Sequence, residues 1–240
     1  MASEIRVTTI GSKAGLGTIT FSATGQDITG ITTIANLNIS DTYRNTPIGE
    51  NSGDSFTVGS ATDNTLVGYD AGTAITTGDS NTAVGRNALK ANTTAGNNTA
   101  IGQGSLEANT TGASLTAVGS NSLAANTTAS NNTAMGYDAL KVNTTGAENT
   151  AVGYNVLAAN TTGSYQVAIG RNSLDANTTG NHNTAVGQQT LTANTTADDN
   201  TAIGSGALGT NSTGTANTAV GRSSLVENTT ADNNTAVGYN

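Results

Sequence analysis

The chain has 240 residues and a formal net charge of −8, with no cysteine, no tryptophan and 3% aromatic residues. So few large apolar side chains cannot fill the thick core of an enzyme-sized globule, and the lack of cysteine excludes disulfides and thiolate metal sites. Eight basic residues against sixteen acidic ones argue against nucleic acid or an anionic membrane as partner, and no apolar stretch is long enough for a membrane-inserting helix.

Along the chain, residues 3–10 (SEIRVTTI) and 17–39 are rich in Thr and Ile and carry turn-forming glycines, a pattern that predicts short strands. Residues 2 to 20 contain polar and charged positions throughout, so no signal peptide is expected. Residues 41–54 (DTYRNTPIGENSGD) read as a polar connector holding the single proline, Pro47. Residues 55–63 (SFTVGSATD) read as a degenerate first rung, with Val58 and Gly59 in the places of a Val–Gly pair. These readings divide the chain into an N-terminal attachment segment, 1–54, and a repetitive rod, 55–240.

From Asn64 the sequence repeats every seventeen residues without insertion, in blocks such as NTAVGRNALKANTTAGN (81–97) and NTAIGQGSLEANTTGAS (98–114). Position four of each block is apolar, from Val67 to Val237, and position five is glycine, from Gly68 to Gly238. Position nine is leucine from Leu89 to Leu225 and position twelve asparagine from Asn92 to Asn228; the first block has Gly72 at position nine. Positions six, seven, ten, sixteen and seventeen read as freely variable.

A fixed short period marks a repeat architecture. The pattern predicts an all-β fold, a β-solenoid or parallel β-roll of about 10 coils, preceded by a small β N-terminal segment. "TAV" forms a short strand with Thr and Val on one face and Ala on the other. Glycine turns the chain where a Cβ would clash, and NTTG or NTTA makes another corner. Stacked coils place Val over Val, Leu over Leu and Asn over Asn, with asparagine ladders satisfying the turn backbone. Valine and leucine are the two large side chains expected inside each coil. Leucine and valine five residues apart make no helical stripe, and the block is thick with poor helix formers. The small residues at positions three and five predict a flat strip on which other chains pack, which leads to a homotrimer.

The NTAVGxxAL…NTTG block resembles repeats of bacteriophage tail fibres and related virion proteins. It is also similar to the shorter "SVAIG" repeats in the heads of trimeric autotransporter adhesins, and the opening MASEIRVTTIGSKAGLGTITFSATG resembles the start of cyanophage structural proteins. The likeness runs from Asn64 onward. It implies a non-enzymatic virion fibre or appendage, a rigid spacer joined to other virion proteins through the N-terminal segment and contacting a host-surface glycan or protein. The adhesins have a signal peptide and a membrane barrel, and the blocks here carry neither. The alternative is a bacterial surface adhesin or extracellular matrix filament. A third reading, an ice-binding solenoid, needs Thr-x-Thr on a flat face, whereas the paired threonines here are adjacent.

No catalytic, cofactor or metal site emerges. GSGALG (204–209) matches a dinucleotide fingerprint without the strand–helix unit that gives it meaning. His182 has no second histidine or cysteine to work with, and Asp198–Asp199 is an isolated carboxylate pair in variable places. Each NTT is formally a glycosylation sequon but has a structural use at a corner. The candidate surface-binding row is position six: Tyr69, Arg86, Tyr137, Tyr154, Arg171, Arg222 and Tyr239, with Gln103, Ser120, Gln188 and Ser205 between them. Stacking aligns these side chains, with Tyr137 and Tyr154 about 5 Å apart. Tyr and Arg are favoured contact residues, and tyrosine rings stack on sugars. Equally, position six could simply tolerate long amphipathic side chains at a corner or a seam between chains.

Overall fold

A computed structural model describes residues 43–57 and 60–239. The strands expected within 3–10 and 17–39, and the Val58–Gly59 rung, fall outside the described residues. The described part is an all-β solenoid built from twelve three-residue strands in one parallel sheet, ordered as in the sequence. β1 is Thr46–Ile48, β2 Thr65–Val67, β3 Thr82–Val84, and one strand follows every seventeen residues as far as β12, Thr235–Val237. Register is strict: Thr82 pairs with Thr99, Ala83 with Ala100 and Val84 with Ile101. At about 4.8 Å per coil, the eleven coil-to-coil steps span roughly 50 Å.

The first coil starts earlier than the repeat suggests. Thr46, Pro47 and Ile48 pair with Thr65, Leu66 and Val67, so Asn45–Gly49 is already an N-T-x-aliphatic-G rung and the boundary at 54/55 cuts through a coil. Two extra residues in that coil hide it from a strict seventeen-residue count. Pro47 has no N–H to donate, and it sits on the edge strand of the described sheet, where one side needs no partner.

Each coil has a thin interior. Alanine at position three points inward, and Ala83, Ala100, Ala117 and their successors to Ala219 are fully buried. Leucine at position nine fills the centre, from Leu89 to Leu208, with alanine, serine, threonine or, in one coil, Val156 at position eight beside it. In the first repeat block Gly72 replaces that leucine, and Leu66 and Ile75 fill the space instead: a Cβ on Gly72 would meet their side chains at 2.8–2.9 Å. Where position eight is serine, its hydroxyl donates within its own coil, as Ser122 Oγ does to Gly119 O at 3.0 Å, or to the next, as Ser173 Oγ does to Ala185 O at 3.1 Å.

Two expectations are corrected by this packing. The position-four aliphatic is not a core residue: Ile101 is 40% and Met135 43% exposed. Period-two alternation puts Thr and Val together on the outer face once Ala takes the inner one. For the same reason position three cannot form a seam between chains, because its alanines have no exposed surface.

Asparagine amides tie coil to coil. At position twelve, Asn126 Nδ2 donates to Asn109 Oδ1 (2.9 Å) and to Ala129 O at its own corner (3.0 Å). A second ladder at position one was not singled out in the sequence. Asn81 Nδ2 donates to Asn64 Oδ1 (3.1 Å) and Ala95 O (3.0 Å), while Asn81 Oδ1 accepts the Asn98 backbone N–H (3.1 Å). Both ladders meet at the position-fifteen carbonyl: Gly112 O receives Asn98 Nδ2 at 3.1 Å and Asn109 Nδ2 at 2.9 Å. The position-twelve asparagines from Asn92 to Asn211 are fully buried, so the NTT motifs there are corner struts and present no acceptor amide for glycosylation.

Backbone conformation limits the variable places as well. Positions seven, nine and seventeen hold positive φ, as at Asn87 (60°), Leu89 (54°) and Asn97 (61°). Position seven therefore does not vary freely: it is Asp, Asn, Gly, Gln or Ser, chiefly residues that tolerate the left-handed region. Position sixteen often supplies a side-chain acceptor to the coil before it, as Asp79 Oδ1 does for the Thr62 N–H at 2.8 Å.

At position five the glycine is obligatory. Gly85 has φ 138°, and a Cβ there would lie 2.6 Å from Gly102 O. Gly85→Ala should cost about 2–4 kcal/mol in denaturant unfolding. Gly104→Asn, at a position-seven site that other coils fill with asparagine, should leave stability within about 0.5 kcal/mol. Asn143→Ala removes bonds at 2.8–3.3 Å to Gly146 O and Asn126 Oδ1 and takes the acceptor from Asn160 Nδ2. A loss of about 2–4 kcal/mol is expected, read as a fall in the denaturation midpoint.

Candidate functional site

Position six follows the position-five glycine, whose backbone only a residue without a Cβ accepts, and precedes a left-handed residue at position seven. The chain bends on both sides of it, so the side chain is turned out of the coil. Tyr69, Arg86, Tyr137, Tyr154, Arg171, Arg222 and Tyr239 are all exposed, as are Gln103, Gln188 and Ser205, while Ser120 is half-buried. The structure thus brings every residue of the candidate row onto one axial line, each a single coil from the next.

Neighbours on the line touch. The Tyr137 and Tyr154 rings stack with centroids 5.5 Å apart and planes within 10°, an arrangement worth about 0.5–1.5 kcal/mol. Their inner faces cover each other along the axis, so this pair does not offer those faces to a sugar. What is left outward is edges and hydroxyl groups. Farther along, the Arg222 guanidinium lies 5.5 Å from the Tyr239 ring centroid, and its Nη1 donates to Tyr239 Oη at 3.1 Å. Arg86 sits close enough to Asp70 to favour its ionised form, but the larger cause of that carboxyl's lowered pKa is the hydrogen bond from Lys90, 2.8 Å away. Arg171 makes no side-chain hydrogen bond or ion pair with the described residues.

A second aromatic contact lies at position seventeen. Tyr165 and His182 stack at 4.9 Å and 3°, and His182 Nδ1 is 3.9 Å from Asp199 Oδ1. The exact one-period spacing of Tyr165, His182 and Asp199 was the available signal. The carboxylates of Asp198 and Asp199 serve different partners: Asp198 Oδ1 accepts the Asn181 backbone N–H at 2.6 Å, while Asp199 faces His182. They do not act as a pair. GSGALG (204–209) begins directly after the strand Thr201–Ile203 and lies in a bend and turns, with no helix behind it. No group of three or more His, Cys, Asp or Glu side chains that could hold a metal ion occurs among the described residues.

Comparison with protein-family models, with curated proteins and with solved structures finds no match.

Position ten tests the electrostatics of the rod surface. Lys141 Nζ there meets Asp138 at 3.0 Å, but Asp175 occupies the same place two coils on, with a buried Oδ1 that has no hydrogen-bond partner. Burial holds the Asp175 carboxyl above the ordinary carboxylate range, against weaker opposing bonds from the backbone of Asp175 and Ala176. A raised folded-state pKa means the fold prefers the protonated form. Stability tied to this group therefore grows as pH falls through the raised value towards that of the unfolded chain. Asp175→Asn should be slightly more stable than wild type at pH 7, by about 0.5 kcal/mol or less given solvent screening. Thermal melts across pH 3–7 should show that advantage fading as the wild-type carboxyl protonates.

Proposed function

We propose that the chain is a non-enzymatic structural fibre or appendage protein of a phage virion, working as a rigid homotrimeric spacer that also contacts the host surface. The observation that carries this reading is the unbroken stack of in-register strands. Bending or stretching the stack strains amide ladders and coil-to-coil backbone bonds together. That suits a spacer. The virion assignment draws on the likeness of the NTAVG block to fibre repeats, and attachment to other virion proteins is assigned to the N-terminal segment.

Trimerisation is assigned to the outer face of the sheet. Position two presents threonine, position four presents Val84, Ile101, Ile169 and Ile203 at 36–41% exposure, and Val167 replaces a threonine at 37%. The result is a narrow apolar strip that runs the length of the described solenoid. Continuous exposed aliphatic strips of this kind are rare on monomers and mark association surfaces.

Light scattering on the full chain should give the mass of three chains. Replacing Ile101, Ile169 and Ile203 together by threonine should release single chains while circular dichroism keeps its β signature. A single-chain wild type would refute the trimer. Mass spectrometry of purified phage particles, against envelope fractions of the host, separates the virion role from the surface-adhesin alternative.

A further inference from the structure

Position six carries a second, longer period. Tyr69, Arg86, Gln103 and Ser120 succeed one another on consecutive coils. Five coils later the same four residue types return in the same order as Tyr154, Arg171, Gln188 and Ser205, and Tyr239 falls on the next five-coil step. The recurrence is confined to this row. Position ten reads Thr, Lys, Glu, Ala from Thr73 but Ala, Asp, Thr, Gly from Ala158, and position seventeen reads Ser, Asn, Ser, Asn from Ser80 but Tyr, His, Asp, Ala from Tyr165. An 85-residue duplication preserved as a whole would have kept those rows too. Nor does backbone geometry impose it, because position six has neither the positive φ of positions seven and seventeen nor the capping role of position sixteen.

The chemistry of the row is also set apart. Arg86, Arg171 and Arg222 are all the arginines beyond Arg44, in a chain of net charge −8. The guanidinium groups of the solenoid are thus collected on one exposed line of an acidic rod, about 24 Å apart between Arg86 and Arg171, while Lys90 and Lys141 at position ten are each paired with an aspartate. Tyrosine, glutamine and serine between them offer neutral donors and acceptors. A nucleic acid strand carries a phosphate about every 3.4 Å and would meet mostly uncompensated repulsion here. A hydroxyl-rich polymer with widely spaced acidic groups matches both the neutral stretches and the isolated guanidinium groups.

Building on the reading of position six as a contact row, we propose that Tyr69–Ser120 and Tyr154–Ser205 are two subsites of the same residue order for a linear, sparsely acidic polysaccharide, with Arg86 and Arg171 each pairing with one acidic group. Simultaneous occupation of both subsites makes binding steep in polymer length.

Calorimetry on the full chain at low salt tests this with gellan, in which one uronic acid recurs per oligosaccharide repeat. Long gellan chains should bind at least about tenfold tighter than single-repeat fragments, and two such fragments should bind per protein chain. Arg86→Ser and Arg171→Ser are tolerated changes, since serine occupies position six in two other coils. Either one should bring the long-chain affinity down to about the fragment value and halve the fragment stoichiometry; the double variant should not bind. Length-independent affinity, a single fragment site, or tighter binding of neutral dextran or single-stranded DNA that the variants still weaken would overturn the acidic two-subsite proposal while leaving position six a contact row. Gellan binding untouched by both variants, or no binding of any of these polymers, would overturn the proposal and remove its support for position six as a contact row.

Discussion

Everything in the solenoid depends on a side-chain amide donating both to its neighbour one coil away and to a carbonyl at its own corner. An amide has fixed length, so the pattern works only if successive asparagines stay in step. This is why the period is seventeen from Asn64 onward without insertion. The first coil tests the rule. It is two residues longer, yet Asn64 still donates to Asn45 Oδ1 at 2.9 Å, so the extra chain is absorbed away from position one. The position-twelve ladder has no such start: Ile75 stands where it would begin, and the first rung of that ladder is Asn92. Gln166, one methylene longer, still passes the position-one ladder on by accepting the Asn183 N–H at 3.0 Å, whereas Leu115 interrupts it.

With the amides carrying stacking, the apolar interior can be small. One leucine and two or three small residues per coil would be a poor core for a globule of this size. Here each coil is also covered above and below by identical neighbours, the nearest-neighbour economy of repeat proteins. Leu225 lies under only a partial coil and is half-buried, where its counterparts from Leu89 to Leu208 are fully enclosed. The inward demand for alanine sends Thr and the aliphatic outward. The same alternation that closes the core therefore creates an apolar strip on one face, while the glycine bend turns position six to another.

Much of this was legible in the sequence. The period, the parallel stacking, the glycine turn and the axial alignment of Tyr137 with Tyr154 follow from spacing and from the steric needs of a Cβ. Which face of "TAV" is inside did not follow, because alternation fixes relative facing and says nothing of which face has room; alanine takes position three where leucine fills position nine, and the larger Leu66 takes it where Gly72 leaves that space open. The rung at Asn45–Gly49 was obscured by its two-residue insertion and by Pro47 standing for alanine. Position seven looked free because its constraint is on backbone φ, which Asp, Asn and Gly satisfy by different means. The chemical order within position six is written in the sequence, but it has meaning only once the side chains are known to form one exposed line.

The left-handed leucines have a consequence for how such a chain comes to fold. Leu89, Leu106 and their successors hold φ near 50°, a conformation costing roughly 1–2 kcal/mol for a residue with a Cβ. A lone coil has no packing to offset that cost, so the first turns must form against strain. Every later coil docks on a finished surface that already offers its carbonyls and a leucine-shaped recess. Pairing partners are only seventeen residues apart in a chain of 240, a relative separation of about 0.07, which is as local as a helical bundle. The expected kinetics are a slow nucleation followed by rapid directional growth, closer to crystallisation on a seed than to the collapse of a globule.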